Sequence, residues 1–136
     1  MSVLKISKQI QSGLYNFLSD GSAGAIGTIN LGVHIPAFAV ITGFWVTELT
    51  AITSGGAATL SFGTITTNSN PVVSTVNNLM TATAIASFTA QPLMGVDLYA
   101  TPLRLLVPVD VTMSIAAFAL TAGQLTFQIE YSENLR

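Results

Sequence analysis

The residues of this chain whose types could support chemistry are few and stand far apart. His34 is the single histidine, and Asp97 and Asp110 are two of the six acidic residues. A histidine base needs an orienting carboxylate and a nucleophile, and no nucleophile motif is present. Asp97 and Asp110 could pair as the acid and base of a glycosidase, but each adjoins a predicted turn, where aspartate commonly forms local hydrogen bonds. We therefore predict no catalytic residues and no enzyme activity, and expect His34 at a surface or interface.

The sequence also lacks a ligand set for a metal or a cofactor. It has no cysteine and one histidine, and four of its carboxylates are well separated. Neither zinc nor calcium coordination is expected from such spacing. The glycine-rich segment 21–27 lacks the lysine and the preceding strand of a phosphate-binding loop. We predict no metal and no cofactor, and expect Arg104 to form a salt bridge with Asp97, Asp110 or a neighbouring subunit.

Trp45, the only tryptophan, is a candidate for binding rather than for catalysis. Phe44 and Val46 flank it and, in a strand, lie on the opposite face. If their face is the core, Trp45 is exposed or lies in an interface. Burial in an opposite layer and stacking on a sugar ring are the alternatives, so a carbohydrate-binding module stays open.

The elements that position these residues are strands, because apolar and polar residues alternate along much of the chain. Residues 28–35 predict a strand that ends at Pro36. Residues 40–52 predict a long strand with a possible bulge at Gly43. Turn residues at Gly55-Gly56 and at 121–123 predict two hairpins. These hairpins cover residues 44–63 and 111–131.

The remaining segments are less regular. Residues 103–109 predict an edge strand flanked by prolines, or a strand that ends at Pro108. Residues 77–91 are ambiguous between a strand and a short helix. In the last strand, Phe127 and Ile129 alternate with Gln128 and are expected in the core. In all, about eight strands indicate a sandwich or barrel, an all-β antiparallel fold.

The N-terminal residues 1–20 are expected to form an arm outside the sandwich. They carry apolar side chains that are expected to dock on another surface rather than remain in water, and the Gly-, Ala- and Ser-rich segment 20–27 has the composition of a flexible joint. We therefore predict an arm and joint over residues 1–25 and a sandwich domain over 26–136. The alternative is that the arm adds a strand or helix to its own domain. The predicted partner-binding residues are Lys5, Ile6, Ile10, Leu14, Tyr15, Phe17 and Trp45.

The composition indicates a chain that is covered by other chains. Half of the residues are hydrophobic and 7% are charged, against roughly a quarter charged in soluble domains. This deficit predicts self-association through apolar interfaces. The net charge of −2 with four basic residues argues against nucleic acid. The long uncharged runs are broken by Gly, Pro and polar residues, which argues against membrane insertion, and no signal peptide is recognised at the N-terminus.

Several segments resemble small virion proteins of tailed bacteriophages, of the capsid decoration and head-fibre type. The resemblance lies in residues 27–37, 40–43, 53–59 and the closing segment 120–131, and it spans roughly residues 26–131. It implies a jelly-roll-like β-sandwich that forms a homo-oligomer, with a trimer favoured, and is attached to a particle. It supplies no catalytic residues.

From these features we expect a structural virion protein, an accessory or minor capsid or decoration component. It would be made in the host cytoplasm and located in the virion. Its expected partners are itself and other virion proteins such as the major capsid protein. A module that recognises host-surface carbohydrate is the alternative.

Overall fold

The computed structural model describes residues 5–17 and 25–135, and these form nine strands and one short helical turn. The strands and the 3₁₀ turn are β1 (Lys5–Asn16), β2 (Gly27–Ile35), β3 (Val40–Ser54), β4 (Thr59–Thr66), β5 (Ser74–Ala84), the turn Ile85–Ser87, β6 (Leu93–Met94), β7 (Leu103–Arg104), β8 (Val109–Ala116) and β9 (Leu120–Leu135).

The strands build two antiparallel sheets. The five-stranded sheet has the order β1-β9-β3-β6, with β7 also paired to β3, and the four-stranded sheet has the order β2-β8-β4-β5. Apart from β4–β5 and β6–β7, consecutive strands lie in different sheets. This connectivity is that of a double-sheet jelly roll, in which two Greek keys wrap around one core. The all-β, jelly-roll-like sandwich expected from the sequence is confirmed.

Both predicted hairpins are wrong. β3 and β4 belong to different sheets, as do β8 and β9, so each connection carries the chain across the sandwich. Positive φ angles occur at Ala117, which turns the chain between β8 and β9, and at Gly123 inside β9, but not at Gly55 or Gly56. Turn residues show that the chain reverses, but they do not show which sheet it enters next.

The predicted arm is also corrected where the structure describes it. Residues 5–16 form β1, which pairs with β9 without interruption from Lys5 opposite Leu135 to Asn16 opposite Gln124. Tyr15 is fully buried in the core, and a Cβ added at Gly13 would collide with the Phe127 ring. β1 is therefore an edge strand of the sandwich. The predicted joint at residues 18–24 lies outside the described residues.

Three predictions concern single segments of the chain: the bulge in β3, the segment 77–91 and the segment 103–109. The expected bulge in β3 is confirmed by a register shift between Ile41 and Gly43. The ambiguous segment 77–91 continues β5 to Ala84, forms the 3₁₀ turn Ile85–Ser87 and is irregular over residues 88–91. The expected edge strand over residues 103–109 is largely wrong, because only Leu103 and Arg104 pair with β3.

The core lies between the two sheets and is centred on three phenylalanine rings. Phe44 of β3 and Phe127 of β9 belong to the five-stranded sheet, and Phe62 of β4 faces them from the four-stranded sheet. The ring centroids of Phe44 are 5.2 Å from Phe62 and 5.7 Å from Phe127. Phe127 and Ile129 are buried and Gln128 is exposed, so the predicted register of the last strand is confirmed.

Candidate interaction surface

The outward-facing side of the five-stranded sheet, here called the outer face, brings together residues that are distant in the sequence. β9 lies between β1 and β3, so the register aligns Ser12, Gln128, Trp45 and Met94 in one row across four strands. A neighbouring row contains Leu14, Thr126 and Thr47. Ile10 lies opposite Glu130 on the other side of the central row.

Large apolar side chains occupy this outer face. Ile10 is 64% exposed, Met94 54% and Leu14 49%. Trp45 is half-buried and points away from the core residues Phe44 and Val46, as the alternation predicts. Its ring covers Gly43, where an added Cβ would collide with the indole. The face thus presents apolar surface surrounded by Thr, Ser and Gln side chains, which is a composition suited to protein contact.

One charged pair lies on the outer face. Lys8 Nζ is 3.1 Å from Glu130 Oε1, and the Thr42 hydroxyl donates a hydrogen bond of 2.9 Å to the same oxygen. The hydrogen bond from Lys8 lowers the pKa of the Glu130 carboxyl, burial opposes this effect, and the bond from Thr42 adds to it. Because Lys8 and Glu130 neutralise each other, this part of the surface carries little net charge.

The seven predicted partner-binding residues do not form one surface. Ile10, Leu14 and Trp45 share the outer face. Tyr15 points into the core and has no exposed surface, while Phe17 is partly buried against the core. Lys5 and Ile6 lie on β1 opposite Leu135 and Asn134, and their side chains are outside the described part of the structure. Met94 joins the surface through pairing that the sequence alone did not reveal.

Phe17 also borders a cleft of about 330 Å³. The described residues that line it are neutral: Asn16, Phe17, Thr50, Thr121, Ala122, Gly123 and Gln124. Within it, the Thr50 hydroxyl donates to Gln124 Oε1 at 3.3 Å. Within the described lining, the cleft offers hydrogen-bonding groups but no acid, base or nucleophile pair. Trp45 is not part of it, so the tryptophan and the cleft do not combine into one sugar site.

The candidate catalytic residues occupy separate local networks. Asp110 lies on β8 opposite His34 of β2, with Asp110 Oδ1 3.1 Å from His34 Nδ1. Asn30 donates to the other carboxylate oxygen at 2.9 Å. Asp97 instead accepts a bond of 3.1 Å from the backbone N–H of Ala100, as expected for an aspartate at a turn. The two carboxylates therefore have different partners in different parts of the fold.

The histidine contact is exposed. The His34 side chain is 56% and the Asp110 side chain 20% accessible. The predicted surface position of His34 is therefore confirmed, and Asn30 is the partner that sequence reasoning missed. Arg104 forms no ion pair with any residue in 5–17 or 25–135, so the expected bridge to Asp97 or Asp110 is wrong.

Residues 5–17 and 25–135 contain neither a metal-binding cluster nor a membrane-spanning helix. No group of three or more His, Asp or Glu side chains there is arranged to hold a metal ion. No helix in those ranges is long and apolar enough to cross a membrane.

Comparison with known proteins finds similarity in structure rather than in sequence. No family model and no curated protein matches the chain. A chain in the acidic stable capsid structure of Helicobacter pylori bacteriophage KHP30 aligns with a TM-score of 0.62 and 10% identity, covering 98% of this chain and 99% of that one. A chain in the capsid of Ralstonia phage GP4 aligns with a TM-score of 0.54 and 15% identity, over 98% and 86% of the two chains. The expected resemblance to proteins of phage particles is thus confirmed at the level of the fold.

Proposed function

We propose that this protein is a structural, non-enzymatic component of a bacteriophage particle, and that it acts as an accessory or decoration protein of the capsid. The observation that carries the proposal is the fold shared over nearly the whole chain with chains of two phage capsid structures. Fold alone does not define function, so the surface supplies the second argument. An outer face with Ile10, Leu14, Trp45 and Met94 suits burial against another chain.

The mechanism we propose is burial of apolar and small polar surface between this chain and its neighbours. Few charged groups need to lose water when such a surface is covered, because 7% of the residues are charged. Both further copies of the chain and other virion proteins, such as the major capsid protein, are proposed partners. The expected copy number of three stays a prediction, and the virion is the proposed location.

The first experiment is mass spectrometry and electron microscopy of purified virions of a phage whose genome encodes this chain. We expect the chain in many copies per particle and at a regular position on the shell. Complete absence from purified particles, while the chain is present in the lysate, would contradict the proposed function.

The second experiment tests the outer face. A double variant, Trp45→Thr with Met94→Thr, removes two large apolar side chains while keeping residues that favour strands. We expect weaker attachment to particles that lack the chain. The matched control is Tyr99→Thr, since Tyr99 is also aromatic and 83% exposed but lies in the loop between β6 and β7. Equal attachment of both variants would show that the outer face is not the contact.

Binding of host-surface carbohydrate is the second candidate, and the position of Trp45 on the outer face is the observation that keeps it. Sugar binding there would change the tryptophan fluorescence, which Trp45 alone provides. A saturable change with a monosaccharide panel, in a chain that does not bind particles, would favour this alternative.

A further inference from the structure

The two sheets have four outer edges, and three of them carry features that block pairing with another strand. Prolines, bulges and very short strands are the usual protections of an exposed edge. β6 and β7 are two residues long and follow Pro92 and Pro102. β2 is interrupted between Asn30 and His34, with Gly32 at a φ of 78°.

The third protected edge is β5, the outer strand of the four-stranded sheet on the side opposite β2. Its pairing with β4 shifts register on both sides of Phe62. A strand whose backbone is displaced in this way presents an uneven row of donors and acceptors. β5 therefore joins β2, β6 and β7 as a protected edge.

β1 is the exception. It runs for 12 residues, contains no proline, and pairs with β9 in one continuous register. The Phe17 N–H donates to Gly123 O at 3.1 Å, which places residue 17 in a hydrogen-bonded pair with β9. Hydrogen-bonded and non-hydrogen-bonded pairs alternate along antiparallel strands. The odd-numbered residues of β1 thus bond to β9, whereas Lys8, Ile10, Ser12 and Leu14 direct their N–H and C=O groups to the open edge.

We propose that the open edge of β1 pairs with β1 of a second copy, antiparallel and about a two-fold axis at Ser12. In that register Ser12 lies opposite Ser12 of the other copy, and Ile10 lies opposite Leu14. Each such pair exchanges two N–H···O bonds. The pairing deepens the proposed function by specifying how two copies associate. It rests on the self-association proposed above, and it does not depend on attachment to a virion.

The side chains of β1 favour a second copy of the chain as the partner at its open edge. Ile10 and Leu14 are the large apolar residues exposed in the part of this strand whose side chains are described, residues 8–16, and they are spaced equally on either side of Ser12. Pairing about a two-fold axis at Ser12 places Ile10 of each copy against Leu14 of the other, and such apolar cross-strand pairs stabilise sheets. Lys8 would face Asn16 of the other copy and already pairs with Glu130, so no like charges oppose each other.

Edge pairing of this kind closes at two copies, because among the strands in residues 5–17 and 25–135 only β1 offers an open edge. A ring of three copies would need a second accepting edge, and β2, β5, β6 and β7 are protected. The proposal therefore differs from the trimer expected from the sequence resemblance, and the mass of the soluble assembly distinguishes them.

The direct test is a cross-link at the proposed axis. The chain contains no cysteine, so Ser12→Cys introduces a single thiol. A hydrogen-bonded antiparallel pair has its Cα atoms about 5.5 Å apart, within the usual range for a disulfide. We expect the full-length variant at micromolar concentration to form a covalent dimer on mild oxidation.

The matched control is Gln128→Cys, on the same face but one strand away from the edge. Across the proposed axis its two copies are three strand spacings apart, about 14 Å, which is too far for a disulfide. Cross-linking of Ser12→Cys alone supports the pairing. Equal cross-linking of both variants, or of neither, overturns it.

A second variant tests the same axis without a covalent bond. Ser12→Lys places like charges opposite each other at the two-fold axis, which destabilises a cross-strand pair. Gln128→Lys adds the same charge away from the edge and serves as the control. We expect a monomeric mass for Ser12→Lys and a dimeric mass for Gln128→Lys by light scattering, with unchanged circular dichroism for both. If Ser12→Lys has the same mass in solution as the wild-type protein, the edge pairing is overturned. The proposed function is tested separately, and it fails if the chain is absent from virions.

Discussion

Phe127 links the two sheets, since its ring packs near Phe44 of its own sheet and Phe62 of the opposite one. It is 1% exposed, and its truncation would leave a cavity between the sheets. We expect Phe127→Ala to lower the free energy of unfolding by about 3–5 kcal/mol. Gln128→Ala should change it by less than about 0.5 kcal/mol. Denaturant midpoints measure both, and equal shifts would contradict the observed register.

The Lys8–Glu130 pair predicts a dependence of stability on pH. The pKa of Glu130 is lowered in the folded state from its ordinary value of 4.5. The pair therefore stabilises the fold at pH values above 4.5, and this contribution is lost as the pH falls through the lowered pKa. Lys8→Gln removes the first cause of the shift. We expect the variant to lose less stability than the wild type between neutral and acidic pH.

The control for this prediction is the same substitution in a Glu130→Gln background. With the carboxyl group absent, Lys8→Gln should not alter the pH profile. Urea unfolding at a series of pH values measures all four proteins. An identical pH dependence of wild type and Lys8→Gln would show that the ion pair is not formed in solution.

At the scale of elements, β1 has an integral role in the sandwich. It covers one side of β9 from Gln124 to Leu135, and its Tyr15 side chain completes the core. We expect deletion of residues 1–17 to abolish cooperative thermal unfolding, because β9 would lose one of its two neighbouring strands and the core would lose the Tyr15 ring. Deletion of residues 1–4, which precede β1, is the control. Native-like circular dichroism with a sharp transition after the longer deletion would support the arm expected from the sequence.

The connections between strands explain why the hairpin predictions failed. In a jelly roll most chain reversals move from one sheet to the other, so the partners of a strand are distant in sequence. β3, for example, pairs with β9 rather than with β4. A hairpin and a crossing between sheets both reverse the chain in a turn-rich segment, and both keep the same alternation of apolar side chains.

At the scale of the whole molecule, the sparse charge and the exposed outer face predict stability that depends on association. A folded state that dimerises is stabilised by mass action as the protein concentration rises. We expect the midpoint of thermal unfolding to rise by a few degrees for each tenfold increase in concentration. Calorimetry over two decades of concentration measures this shift. A midpoint independent of concentration would contradict stable self-association.

The alternation of residue types by itself determined which side chains face inward in several strands. It placed Phe127 and Ile129 in the core and Trp45 on the face opposite Phe44 and Val46, because side-chain direction in a strand is a local property with a period of two. Composition indicated an exterior poor in charge. Tertiary structure alone decided that β1 belongs to the sandwich, that Trp45 meets Met94 and shares a face with Ile10 and Leu14, and that β1 has an open edge. These features depend on pairing between strands far apart in the chain, which no local pattern encodes.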